Sequence, residues 1–285
     1  MDSDKLLGEF LRARREVTSP EQVGLVDVGP RRMPGLRREE VAMLAGVSTD
    51  YYVRLEQGRE RHPSDQVLGS LVRALDLGPA AATHLYELAF PRPRQWRTVG
   101  RADRVNPDLR QMMHNWPRTP AIACNRWLDV LAANPLVAAL HGGLEYTDNL
   151  VRLIFLDPAA HEYYRDWEQI SRAQVAYLRA VAGADLNDPN LIELVGELSL
   201  KSADFRRIWA RHDVGIPCKV RRLRHPEVGD LDLTCEAFSV ASAPGQQLLT
   251  FQAEPGSPSA HSLALLGSIA AVTDRSPGLV PPVST

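Results

Sequence analysis

The chain has little that would mark a catalyst, an exported protein or a bulk binder of polyanions. Its 285 residues include 3 cysteines, Cys124, Cys218 and Cys235, odd in number and without CxxC spacing. This argues against a disulfide framework or a zinc site and suits a reducing compartment. No apolar run reaches the roughly 18 residues that a membrane span requires. The opening MDSDKLLGEFLRARREV lacks the apolar core of a signal peptide. A cytoplasmic protein is expected. The formal net charge of −2 announces no nucleic-acid partner, so any positive surface must be local. Histidines, cysteines and carboxylates nowhere take nucleophile or metal spacing. His212-Asp213 is an isolated pair, and Gly142-Gly143 has no phosphate-loop context. The expectation is therefore a non-enzyme with no catalytic residue, metal or obligatory cofactor.

What the chain does have is the stretch from Arg37 to Gly58, RREEVAMLAGVSTDYYVRLEQG. It reads as two short helices around a tight turn. Val41, Ala42 and Leu44 face inward on the first. Gly46 supplies a turn with positive φ, and Ser48 caps the second helix by accepting from an orphan N–H. Tyr52 and Leu55, three apart, point back at the first helix. This is helix-turn-helix geometry, whose second helix lies in the major groove of DNA. The alternative is a helical hairpin in an ordinary all-α domain. The spacing resembles that of Xre/Cro-type repressors.

Around the motif the pattern predicts a first helix over 4–15, with Leu7, Phe10 and Leu11 on one face. A long connection, 16–35, contains Pro20, Pro30 and Pro34. A fourth helix is capped by Ser64 and buries Val67, Leu68, Leu71, Val72 and Leu75. A fifth begins at Pro79 and runs to about Ala89. Five helices over 1–90 make one all-α domain. Residues 91–107 read as a linker with Arg92, Arg94, Arg97, Arg101 and Arg104 against the single acid Asp103.

From Asp108 the pattern changes. A short helix covers 109–116. Residues 121–133 read as two strands turning at Asn125-Arg126, with Trp127 on a strand, and Asn134 caps another helix. Residues 162–182 read as one amphipathic helix, followed by a helix with Leu191, Leu194, Val195 and Leu198. Phe205, Ile208, Trp209 and His212 follow at offsets 0, 3, 4 and 7. Three strand-like runs, 219–225, 231–240 and 247–253, precede a last helix ending near Ala271. The first two runs suggest a hairpin. The segment 108–273 is thus expected to be an α+β domain, with a disordered proline-rich tail over 274–285.

The runs PGLRREEVAMLAGVSTDYYVRLEQGRERHPSDQVLGSLVRAL, LIFLDPAAHEYYRDWEQ, ELSLKSADFRRIWARHDV, RLRHPEVGDLDL and FQAEPGSPSAHSLALL resemble an MmyB-like transcriptional regulator over about residues 5–270. Such a protein has an Xre-type helix-turn-helix domain followed by a PAS-like ligand-binding domain and is frequent in actinobacteria. The resemblance implies binding to a double-stranded DNA operator, homodimerisation and a small-molecule effector. A fatty-acid-like ligand is one that it suggests. It also implies that Arg15 pairs with Glu56 at the end of the recognition helix, the alternative being two surface charges. A dimer of this kind reads half-sites about 34 Å apart.

By motif position Thr49, Asp50, Val53 and Arg54 face the bases. Arg54 can donate twice to guanine O6 and N7, Asp50 can accept from cytosine N4, and Thr49 and Val53 can meet a thymine methyl. Asp50 serves equally as a helix cap near Ser48. Arg38, Gln57, Arg59 and Arg61 are the phosphate candidates, with Arg31 and Arg32 from the long connection, and phosphate contacts fix register. Each arginine has the alternative of a solvated surface charge. For an apolar ligand with a polar end the candidate lining is Trp127, Phe205, Trp209 and His212, with Arg207 and Arg211 for a carboxylate. The alternative is core packing. Lys219, Arg221, Arg222 and Arg224 form either a second anion site or a charged edge strand. Two readings of the C-terminal domain remain open: a ligand receptor, or a scaffold that only dimerises the DNA-binding heads.

Overall fold

The structure, a computed structural model, describes residues 3–25, 34–60, 63–90, 104–183, 188–215 and 219–274. By spatial contact the chain forms two compact units, residues 1–97 with 171–217 and residues 98–170 with 218–285.

The first unit begins with α1 (Ser3–Val17), α2 (Arg38–Ala45), α3 (Thr49–Glu56), α4 (Asp65–Ala74) and α5 (Pro79–Ala89). The helices form where the periodicity places them, because each buries one apolar stripe in a shared core. Leu7, Phe10 and Leu11 of α1, Val41 and Ala42 of α2, Tyr52 and Leu55 of α3, and Leu68 and Leu71 of α4 are all buried there. Val67 and Val72 are only half-buried. Gly46 has φ 67° and ends α2 by donating to the carbonyls of Ala42 and Met43. Ser48 Oγ accepts from Tyr51 N at 3.1 Å, and Ser64 Oγ from Val67 N at 3.4 Å.

The second unit opens with α6 (Pro107–His114), β1 (Ala121–Cys124), β2 (Val130–Ala133), α7 (Pro135–Leu140), α8 (Leu150–Leu156) and α9 (Ala160–Tyr163). The chain continues through α10 (Trp167–Ala182), α11 (Pro189–Lys201) and α12 (Ala203–Trp209). It then completes the sheet with β3 (Val220–His225), β4 (Gly229–Ser239) and β5 (Gln247–Gln252), and ends in α13 (Pro258–Asp274). The five strands form one antiparallel sheet in the order β2-β1-β5-β4-β3. Pairs such as Ile122 with Leu249 and Cys235 with Phe251 set the register, and α13 lies against β4 and α7. The expected β3–β4 hairpin is present, and the C-terminal architecture is α+β.

Three local expectations need correction, and one helix, over 150–156, was not anticipated. Residues 162–182 do not make one helix. Tyr164 is extended and bridges to Leu223, and Arg165 N donates to Arg222 O at 2.9 Å. Pairing with β3 thus outweighs continuation from α9 into α10. Residues 150–156 form α8, capped by Asn149, whose Oδ1 accepts from Val151 N and Arg152 N. Trp127 lies in the turn between β1 and β2, where Asn125 Oδ1 accepts from Trp127 N at 2.9 Å and Leu128 takes φ 66°. His212 lies beyond α12, which is capped by Ala210, so it does not continue the Phe205–Trp209 face.

By contact, residues 171–217 group with the N-terminal helices, although the sequence boundaries 1–90 and 108–273 follow chain order. Half-buried Val214 joins their core, and Arg14 of α1 pairs with Asp213. Most of the linker (91–103) and nearly all of the tail lie outside the described residues.

Candidate nucleic-acid interface

The outward side of α3 carries the candidate base-reading residues. Tyr52 and Leu55 are 0% exposed and anchor the helix. Of the remaining positions on the helix, Thr49, Asp50 and Arg54 are exposed and Val53 is half-exposed. One face is therefore committed to the core and the opposite face is left to solvent. Asp50 and Arg54 form a pair along the helix, Nη1 to Oδ2 at 2.9 Å. Arg54 also lies over the Tyr51 ring, 5.8 Å from its centroid. Tyr51 is half-buried, and burial raises its hydroxyl above the usual phenol range, with Glu60 adding to the shift. Ser48, not Asp50, caps α3.

The end of α3 is fixed from α1 and α2. Arg15 Nε donates to Glu56 Oε1 at 2.5 Å and Nη2 reaches Oε2 at 3.5 Å. Arg15 Nη1 donates to Leu36 O at 3.0 Å. Arg38 Nε donates to Glu56 Oε2 at 2.7 Å. The side chains of Arg15 and Glu56 are 10% and 2% exposed, whereas that of Arg38 is 46% exposed. The Arg15–Glu56 pair is thus a buried one. Its hydrogen bonds raise the Arg15 guanidinium further above its ordinary value even though burial, the largest single influence, opposes them. The five N–H donors of a guanidinium leave Arg38 free to meet phosphate while holding Glu56.

Gln57 and Arg59 are exposed directly after α3, and Arg59 N donates to Arg54 O at 2.9 Å. Gln57, Arg59 and Arg38 therefore sit around the end of the recognition helix. Arg31, Arg32 and Arg61 lie outside the described residues.

The expected ligand lining is divided between the two units. Trp127 belongs to the second unit, and the other five residues belong to the first. Trp127 is 2% exposed beneath the Arg126 guanidinium, 4.3 Å from its ring centroid. Phe205 stacks on Trp209 with centroids 5.6 Å apart, and Arg179 lies 4.0 Å from the Trp209 ring. Arg207 and Arg211 are engaged by Asp204 and Asp213 at 2.7 and 2.9 Å. Lys219, Arg222 and Arg224 each meet a carboxylate, Glu236, Asp166 and Asp230, and β3 is an edge of the sheet. Charge on that strand is therefore largely balanced locally.

The interior of the second unit combines apolar and satisfied polar groups. Met113, Ala121, Ala123 and Leu248 form an apolar cluster. Tyr163 OH donates to Leu140 O at 2.9 Å, and a ring nitrogen of His225 lies 3.1 Å from Ala139 O. Burial lowers His141 to about 4 and raises the Cys124 thiol to about 12, which leaves that thiol unreactive. Among the described residues no helix is long and apolar enough to cross a membrane.

Sequence reasoning passed over Arg14, His84 and Arg179, and noted Asp213 only in the isolated pair His212-Asp213. They meet through residues remote in sequence, and none belongs to a local motif. Two family models match the chain. The MmyB-like transcription regulator ligand binding domain matches residues 105–266, more than half of the chain, and a helix-turn-helix domain matches residues 6–85. No curated protein matches it.

Proposed function

The chain belongs to the MmyB-like transcription regulators, and from that membership we propose a sequence-specific regulator that binds its operator as a homodimer under the control of a small effector. The DNA-binding part rests on one observation above all. Recognition helix α3 keeps Thr49, Asp50 and Arg54 exposed while Tyr52 and Leu55 hold it to the core. Arg54 and Asp50 read base edges, and Arg38, Gln57 and Arg59 bind the adjacent phosphates. The site of action is the cytoplasm.

The effector is an apolar, fatty-acid-like molecule held by the C-terminal domain. A mainly apolar interior around Met113, Ala121, Ala123 and Leu248 supports this reading. A second reading, a C-terminal domain that only dimerises the DNA-binding heads, draws on α13. From Pro258 to Ala270 this helix has no charged residue, yet Leu265 is 55% exposed.

Selection of bound sequences from a random DNA pool tests the core claim. Enrichment of a two-part site is expected, and binding without enrichment would reject sequence-specific regulation. Native mass spectrometry separates the two C-terminal readings. A lipid-sized adduct lost on solvent extraction supports the receptor. A clean protein mass with no thermal shift across acyl ligands supports the scaffold.

A further inference from the structure

Two consecutive arginines of α1 grip different elements. Arg14 Nη1 donates to Asp213 Oδ1 at 2.7 Å, and Arg15 Nε donates to Glu56 Oε1 at 2.5 Å. Asp213 belongs to the turn after α12, where Arg211 Nε holds its other oxygen at 2.9 Å. Glu56 is the last residue of α3. Between these two contacts α1 has no slack. At Gly8 it meets the end of α3 so closely that any Cβ would overlap the Glu56 carbonyl. Packed interiors pass on displacement instead of absorbing it, so a shift of α1 moves the end of the recognition helix.

The turn holding Asp213 is itself positioned from α10. Gly215 N donates to Ala176 O at 3.3 Å. Arg179 Nη2 donates to Trp209 O at 2.8 Å while its guanidinium lies over the Trp209 ring. His212 takes φ 52°, a left-handed conformation uncommon for a residue with a side chain. A turn held in this way fixes the direction of the next residue, Asp213. The helix α10 is continuous from Trp167, whose first residues belong to the second unit, to Ala182, in the first.

We propose that Asp213 is a positioning residue for DNA recognition: through Arg14 it braces α1, and through Arg15 and Glu56 it sets the end of α3. The segment over 171–217, which falls within the family's ligand-binding match, is then the relay by which an effector signal carried along α10 reaches the recognition helix. This rests on the DNA-binding reading above and names how that site is regulated.

The test uses the full-length chain and two readouts. On the selected operator, Asp213→Asn and Arg14→Gln each weaken binding by about five- to twentyfold, and the double variant by no more than the larger single effect. Asp213→Glu retains most of the affinity. Asp148→Asn, which breaks the exposed pair with Arg152 in the second unit, changes nothing. Amide exchange reads the coupling without DNA: Asp213→Asn speeds exchange at Leu55–Arg59 more than in α4. Should Asp213→Asn fail to fold, Arg14→Lys, which keeps the charge but shortens the reach to Asp213, carries the same comparison. A folded Asp213→Asn protein with operator affinity within twofold of wild type and unchanged exchange at Leu55–Arg59 overturns the proposal. So does an additive double variant. If no operator is selected, the DNA-binding reading fails, while the exchange pattern still decides the coupling.

Discussion

Arg15 and Glu56, 41 positions apart, share a hydrogen-bonded ion pair at 2.5 Å at the C-terminal end of α3. Glu56 also holds Arg38 through its second oxygen, so one buried carboxylate joins α1, α2 and α3. Removing that carboxylate leaves the buried Arg15 guanidinium with only the more exposed Glu16, 3.5 Å away, and breaking a buried pair typically costs about 3–5 kcal/mol. Glu56→Ala is expected to destabilise the protein by that order in urea denaturation. Arg38→Ala, at a 46% exposed side chain, is expected to cost under about 1 kcal/mol. Similar losses for the two would show that the pair's burial is not what matters.

Arg54 faces a competition that magnitudes decide. Its pair with Asp50 joins side chains that are 45% and 77% exposed, and such pairs along a helix are worth about 0.2–0.5 kcal/mol. A bidentate contact with guanine discriminates by about 1–3 kcal/mol, so DNA wins the arginine. Arg54→Ala should weaken operator binding by about 1–3 kcal/mol and relax one base position in a repeated selection. Equal loss on operator and random DNA would rule out base reading by this residue.

Arg59 makes a different prediction because phosphate carries no sequence. Arg59→Ala is expected to weaken operator and random DNA alike, and to lower the slope of log K against log salt by about 1. Titration of fluorescent duplexes at several salt concentrations measures it. An unchanged slope would place Arg59 off the backbone.

These residues were accessible to sequence reasoning because their constraints are local. Gly46, Ser48, Tyr52 and Leu55 lie within one turn and one helix, where spacing dictates facing. The Arg15–Glu56 pair was legible only through family resemblance. Other features depend on contacts that local spacing does not contain. Arg14 and Asp213 are 199 positions apart. The break before α10 depends on Tyr164 pairing with Leu223 of a strand not yet reached. Trp127 has strand-like neighbours, but the Asn125 side-chain Oδ1 accepts its N–H and makes a turn. Helical offsets placed His212 with Trp209, yet α12 had already ended.

The same remote packing creates an acid-sensitive spot. His84 of α5 is 5% exposed, its ring edge-on to Phe10 of α1 at 5.2 Å, and its Nδ1 has no hydrogen-bond partner. Burial, and secondarily Arg179 of α10, lowers it to about 4. His212 is lowered to about 4 by burial, Arg179 and His84, against the opposing charge of Asp213. Asp213 and Glu9 in turn favour the charged form of Arg179, which burial lowers to about 10. Both histidines therefore bind a proton more readily in the unfolded chain. Their contribution to stability is complete above the ordinary pKa of about 6.5. It declines as pH falls toward about 4 and levels off below. For His84 the full decline is on the order of 3 kcal/mol. Urea midpoints at stepped pH values between those limits should fall for the wild type. In His84→Phe, which keeps an aromatic ring and has nothing to protonate, they should fall less steeply. Parallel acid limbs for the two proteins would assign the loss to other groups.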